Sequence, residues 1–345
     1  MNNGHNISQY EIIRQLRFPM IVLVTFAHSY GGVANDYSLF ASDWSIYEFL
    51  KLLVSQTLVK VAVPVFYIMS GYLFFRGLEQ WSREVWLQKL MRRVSTLLLP
   101  YIVWNLVMVL KLHDFSWCFF WNYNPQAGMQ IDWLGHEQWL TAPANMPLWF
   151  LRDLIVVSLL SPLVWLVVKK WGTWVMAVLT VVYLSGVCAF IPGISLYSIY
   201  FFTVGAFLSI RQKDLVATMR LVEMPAYVAS LLFGIAMLLT YHMPVFSSLM
   251  LTFRITGAVS VFCLASRALS YTNRRLPAVV SDASYFIYLA HYVFFFSFID
   301  DSFFSIFGRS EVSFSIHYLL CPLLKVALFV VVYAFYRRLR TVFSF

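Results

Sequence analysis

The chain has 345 residues, of which 61% are hydrophobic and only 12% charged, about half the charged share typical of soluble domains. One soluble core cannot hide that much apolar surface, whereas lipid accepts it. The net charge of +9 is scattered in short clusters between apolar runs, which excludes the single broad basic face that nucleic-acid binding needs. Aromatic residues make up 19%, as suits many membrane–water crossings anchored by Trp and Tyr. The four cysteines, Cys118, Cys188, Cys263 and Cys321, have neither CxxC nor metal-type spacing and read as apolar filler; no metal site is expected.

A span needs about 20 mostly apolar residues. In chain order the segments that qualify are 12–32, 50–75, 94–112, 147–168, 172–190, 196–210, 226–242, 247–270, 283–303 and 316–336. The first carries Arg14 and Arg17 and lacks a small-residue cleavage site, so it reads as a span rather than a signal peptide. The sixth is short and the ninth carries polar residues. Basic residues fall in every second loop: Arg76 to Arg93, Lys169–Lys170, Arg211 to Arg220, Arg267 to Arg275, and Arg337 to Arg340 at the end. The other loops hold almost none, Arg309 excepted. By the positive-inside rule both termini are expected in the cytoplasm. The longest outward loop, 113–146, contains His113, Asp114, Asp132, His136 and Glu137; a functional loop and a solvated cap are both open readings. The expected fold is an all-α, polytopic transmembrane bundle of about ten spans. Residues 1–345 are expected to form one membrane domain, with no fused soluble domain and no internal repeat.

Ionisable residues inside spans are costly and usually face an interior cavity. Here they are Arg14, Arg17, His28, Lys60, Arg152, Asp153, Arg254, His291 and Lys325, enough to imply a polar chamber. Arg17 and His28 are eleven residues apart, about 3.06 helical turns, so both project from one face about 16 Å apart. Histidine can exchange a proton near neutral pH; a helix–helix hydrogen bond is the plainer role for His28. Arg14 and Arg17 also read as inner-side topology anchors. Trp149 lies three and four residues before Arg152 and Asp153, alongside both on a helix. Those two residues are open to being one neutralised pair. Surplus cations in a chamber favour an anionic or phosphorylated ligand.

Several separated motifs resemble the membrane-bound acyltransferase type 3 family, which acylates extracytoplasmic sugars. Arg17-Phe-Pro-Met-Ile-Val-Leu-Val-Thr-Phe-Ala-His28 is similar to its Arg-x10-His signature. Pro64-Val-Phe-Tyr-Ile-Met-Ser-Gly-Tyr-Leu73 looks like its Ser-Gly-Tyr/Phe motif, and Arg92-Arg93 before Leu99-Pro100-Tyr101 like its basic Leu-Pro-Tyr element. Pro147-Leu-Trp-Phe-Leu151, Phe202-Thr-Val-Gly-Ala206 and Ser284-Tyr-Phe-Ile-Tyr-Leu-Ala-His291 follow in the family's order. The chain departs from the pattern at Phe18-Pro19, where many members have Gly after the Arg, and at Ser95-Thr96, where many have a second basic residue.

The resemblance implies an O-acyltransferase of the bacterial inner membrane. It would move an acyl group, most simply acetyl from cytoplasmic acetyl-CoA, onto a hydroxyl of a surface or exported carbohydrate. Its partners are then membrane lipid, the acyl-CoA and the carbohydrate, with acyl-CoA a co-substrate and no permanently bound cofactor. His28 is the expected catalytic base or acyl carrier, with Arg17 beside the donor. Arg14, Arg92, Arg93 and Arg275 are expected to hold CoA phosphates. Trp149, Arg152, Asp153, Arg254, Ser284 and His291 are candidates for acceptor or oxyanion contacts. Ser70, Gly71 and Tyr72 read as a close-packing site. The competing reading is a transporter or flippase for a polar or lipid-linked sugar, which moves its substrate unchanged.

Overall fold

The computed structural model describes residues 7–29, 45–112, 143–187, 193–294 and 297–342. Cys118, Cys188 and the loop residues His113, Asp114, Asp132, His136 and Glu137 lie outside them. The regular elements among the described residues are helices. They are α1 (Gln9–Ala27), α2 (Ile46–Phe75), α3 (Arg83–Lys111), α4 (Trp149–Leu159), α5 (Ser161–Leu184) and α6 (Leu196–Ile210). Then come α7 (Leu215–Arg220), α8 (Glu223–Leu239), α9 (Val245–Thr272), α10 (Ala278–Ala290), α11 (Ser297–Phe307) and α12 (Glu311–Val342). Several starts are fixed by side-chain caps, as helix N-termini require. Ser45 accepts the Glu48 amide, Ser82 that of Val85, Ser195 that of Ser198 and Asp214 that of Ala217.

Helices α2, α3, α5, α9 and α12 are long and apolar enough to cross a membrane; α6, α8 and α10 are shorter apolar helices. Large apolar side chains such as Leu166, Val181 and Val331 are about two-thirds exposed on the outside of the bundle. That surface is tolerable only in lipid. The chain is therefore an all-helical membrane protein.

Two expected spans are divided. Residues 147–168 break at Leu160 between α4 and α5, because Pro162 has no amide with which to continue α4. In the other, 283–303, α10 stops at Ala290. There the His291 ring takes the Tyr288 carbonyl that a continued helix would use. The division expected after Lys169–Lys170 falls at a kink inside α5, where Trp171 has φ −125° and ψ 27° and two helical stretches meet.

Helix α1 is the axis of the bundle, packed by α2, α9, α10 and α12. The Ser55 hydroxyl donates to the Phe26 carbonyl at 2.9 Å and lies 2.6 Å from the Tyr318 hydroxyl. It thereby ties α1, α2 and α12 together. The tightest crossing is α2 on α6. A Cβ added at Gly71 would lie 2.0 Å from the Phe202 carbonyl oxygen, and one at Gly205 would lie 2.0 Å from that of Ile68. The backbones touch there, so neither site accepts a methyl without moving a helix. Gly205→Ala is expected to destabilise the protein by about 1–3 kcal/mol or more. A lowered thermal midpoint of the detergent-purified protein checks this.

Candidate active site

Two cavities lie along α1, and each is lined by α1, α2, α4 and α10. The first, about 220 Å³, holds Arg17, Ser70, Arg93, Ser284 and Tyr285 in its wall. The second, about 260 Å³, holds His28, Lys60, Trp149, Tyr197 and Arg254. Phe66, Phe150 and Tyr288 line both, so they form the common wall. Their rings pack at 6.1 Å for Phe66–Phe150 and 5.8 Å for Phe150–Tyr288. The Tyr288 hydroxyl donates to the Pro147 carbonyl at 2.7 Å, which fixes the ring in place.

Each helix addresses the two cavities from opposite halves. On α1, Arg17 faces the first cavity, and Val24, Ala27 and His28 face the second. On α2, Met69, Ser70 and Leu73 face the first, and Val59, Lys60 and Val63 the second. The three-turn spacing of Arg17 and His28 thus spans the common wall. Departures from α geometry accompany both cavities. A π segment (Leu52–Thr57) and a 3-10 turn (Leu58–Val61) present Val59 and Lys60, and a second π segment (Val94–Leu98) follows Arg93 and carries Leu97. Such segments recur at functional sites because they re-aim side chains without ending the helix.

His28 caps the C-terminus of α1, and its ring lies 5.3 Å from that of His291 and 5.5 Å from that of Tyr292. No hydrogen bond joins the His28 ring to another described residue. His291 is held differently. Its Nδ1 lies 3.1 Å from the Ile287 carbonyl and 2.9 Å from that of Tyr288, so Nδ1 donates. Nε2 is buried without a partner among the described residues. In the neutral ring that nitrogen is an acceptor.

The other expected site residues separate. Arg93 lines the first cavity, its guanidinium 5.3 Å from the Phe74 ring centre. Arg14 is half-exposed, 4.0 Å from both Glu11 and Asp282, and Asp282 also pairs with Arg337 at 3.2 Å. Arg14, Arg92 and Arg275 line neither cavity. Arg152 and Asp153 are a pair at 2.8 Å, and Asp153 also accepts the Ser195 hydroxyl at 2.8 Å. That carboxylate therefore braces the start of α6. Ser284 lines the first cavity and donates to the Ser281 carbonyl at 2.8 Å. Ser70, read from sequence as packing, is also cavity wall, whereas Gly71 makes the crossing and the Tyr72 hydroxyl donates to the Lys213 carbonyl.

Lys325 is not in either cavity: it donates to Asp300 at 2.6 Å, and His317 Nε2 meets the other Asp300 oxygen at 2.8 Å. Cys321 completes a group with metal-ligand chemistry that sequence spacing did not suggest. The Lys325 ammonium already neutralises its carboxylate, which argues against a cation there.

Sequence reasoning missed the aromatic wall. Phe66, Phe150 and Tyr288 look like ordinary apolar residues in a chain that is 19% aromatic. All three lie inside matched motifs, but nothing in those motifs marks them as facing one another.

A family model described as an acyltransferase domain matches residues 10–337. The succinoglycan biosynthesis protein ExoH of Rhizobium meliloti (strain 1021) is 29% identical to the chain over 164 residues. That match covers 46% of this chain and 43% of the relative, so it spans less than half of that relative's length. No solved structure matches.

Proposed function

The chain belongs to the acyltransferase family whose model it matches; from that premise we propose that it is itself an acyltransferase and carries an acyl group across the membrane. The donor is acetyl-CoA or another short acyl-CoA from the cytoplasm. The acceptor is a hydroxyl of a surface or exported polysaccharide, a class for which the word succinoglycan in the relative's name gives support. The protein sits in the bacterial inner membrane with about ten spans, counting kinked and short helices, and both ends inside. The alternation of basic loops supports that orientation.

The observation that carries this reading is the pair of cavities meeting at Phe66, Phe150 and Tyr288, with Arg17 and Arg93 on one side and His28 on the other. Guanidinium groups bind phosphate through charge-assisted hydrogen bonds. The Arg17 cavity is then the inner, donor side, and the thioester meets the aromatic wall from within. The acceptor hydroxyl enters the outer cavity beside His28. His28 takes the hydroxyl proton as the oxygen attacks the thioester carbonyl. The carbon–sulfur bond breaks and the CoA thiolate leaves toward the cytoplasm, where it is reprotonated. A base needs contact only with the hydroxyl, and His28 is on the acceptor side of the wall; this favours direct transfer over an acyl-histidine.

Membranes containing the protein, given labelled acetyl-CoA, are expected to place label on glycan. Movement of unmodified glycan with no acylation would overturn the reading in favour of a flippase.

A further inference from the structure

Nearly every buried cation among the described residues of this bundle is matched by an acceptor. Lys325 meets Asp300, Arg152 meets Asp153 and Lys51 meets Glu48. Lys89 donates to the Phe74 carbonyl and Lys111 to that of Val293, each at 2.6 Å. The two cavities break the pattern: Arg17 and Arg93 meet no carboxylate at ion-pair distance among the described residues in the inner one, and the same holds in the outer cavity. Lys60 and Arg254, from α2 and α9, both line it, and neither pairs with a carboxylate among the described residues. The Arg254 guanidinium lies over the Tyr197 ring at 4.7 Å, and its Nε is buried with no acceptor.

Two cations that face one cavity with no described carboxylate beside them repel each other and lose hydration, an arrangement that costs stability unless an anion completes it. The backbone is also deformed to create it, since Lys60 is presented by the 3-10 turn that follows a π segment. Trp149 and Tyr197 add broad apolar faces next to these charges.

We propose that Lys60 and Arg254 form a carboxylate-binding subsite in the outer cavity, holding an acidic group carried by the substrate while its hydroxyl or acyl carbon lies at His28. It rests on the acyl-transfer reading only for the identity of that substrate. The carboxylate has two possible carriers: the far end of a dicarboxylic acyl group, or an acidic sugar of the acceptor. The guanidinium suits either through paired hydrogen bonds, and the ammonium adds a point charge.

The test uses the full chain in nanodiscs and two matched pairs of probes, succinyl-CoA against acetyl-CoA and glucuronate against glucose. Binding is read by calorimetry and by thermal stabilisation. In the first pair the CoA portion is common, so any difference reports the acyl end. Wild-type protein is expected to bind the anionic member of at least one pair about tenfold or more tightly than its neutral partner. The pair that discriminates identifies the carrier. Lys60→Met and Arg254→Met should each shrink that preference to about twofold or less, and Arg254→Lys should restore part of it. If a methionine variant does not accumulate, Lys60→Gln and Arg254→Gln serve for the same comparison. Equal binding within both pairs by wild type, or a preference that survives both charge removals, overturns the subsite. Protein that transfers acetyl without discriminating sinks this inference alone. Protein that discriminates but transfers no acyl group sinks the acyl-transfer reading instead.

Discussion

His28→Ala is expected to lower acyl transfer by about 10²–10⁴-fold, the usual contribution of a positioned general base. The folded protein should persist in the membrane at its normal level. The ring ends α1 at its C-cap, touches the rings of His291 and Tyr292, and makes no hydrogen bond to another described residue. Its removal therefore leaves no described partner unsatisfied, unlike loss of Asp153, which would take an acceptor from both Arg152 and Ser195. The loss should fall on kcat, with the KM for acyl-CoA little changed, because His28 faces the cavity on the far side of Phe66, Phe150 and Tyr288 from Arg17. Rapid quenching of wild-type turnover with labelled donor should leave no acyl group on the protein. Full activity in His28→Ala would remove His28 from the chemistry, and label trapped on the imidazole would replace the base with an acyl carrier.

The parts of this site that were legible in the sequence are those governed by helical periodicity and charge. Arg17 and His28 stand out because ionisable groups are rare in a 61% hydrophobic chain, and eleven residues is a fixed advance along a helix. The same periodicity cannot report a local change in backbone pitch. Lys60 reads as one more buried charge until the π and 3-10 segments ahead of it turn it toward Arg254's cavity. Pairing is equally invisible: Lys325 and Arg254 look alike as lone cations in apolar runs. Yet Lys325 meets an Asp300 that lies 25 residues away, whereas Arg254 lies over the Tyr197 ring. Span boundaries failed where one residue decides them, as Pro162 does for α4 and α5. Hydropathy averaged over twenty residues passes over such points.

Arg17→Ala and Arg93→Ala should each raise the KM for acyl-CoA by about 10–150-fold, the equivalent of one charged hydrogen bond of about 1.5–3 kcal/mol. At saturating donor, kcat should stay within a few fold of wild type. The two arginines come from different helices, α1 and α3, yet line the same cavity, so a polyanion is the ligand that both can hold at once. Arg92→Ala is the internal control: the neighbouring residue is exposed and lines neither cavity, so its KM should match wild type within about twofold. Acetyl-dephospho-CoA, which lacks one phosphate, separates the contributions further. The arginine that holds that phosphate should show little additional defect with this donor, while the other keeps its full effect, as in a double-mutant cycle. If neither substitution changes KM while both lower the amount of folded protein, the two arginines hold the inner ends of α1 and α3 in place, and the donor must enter elsewhere.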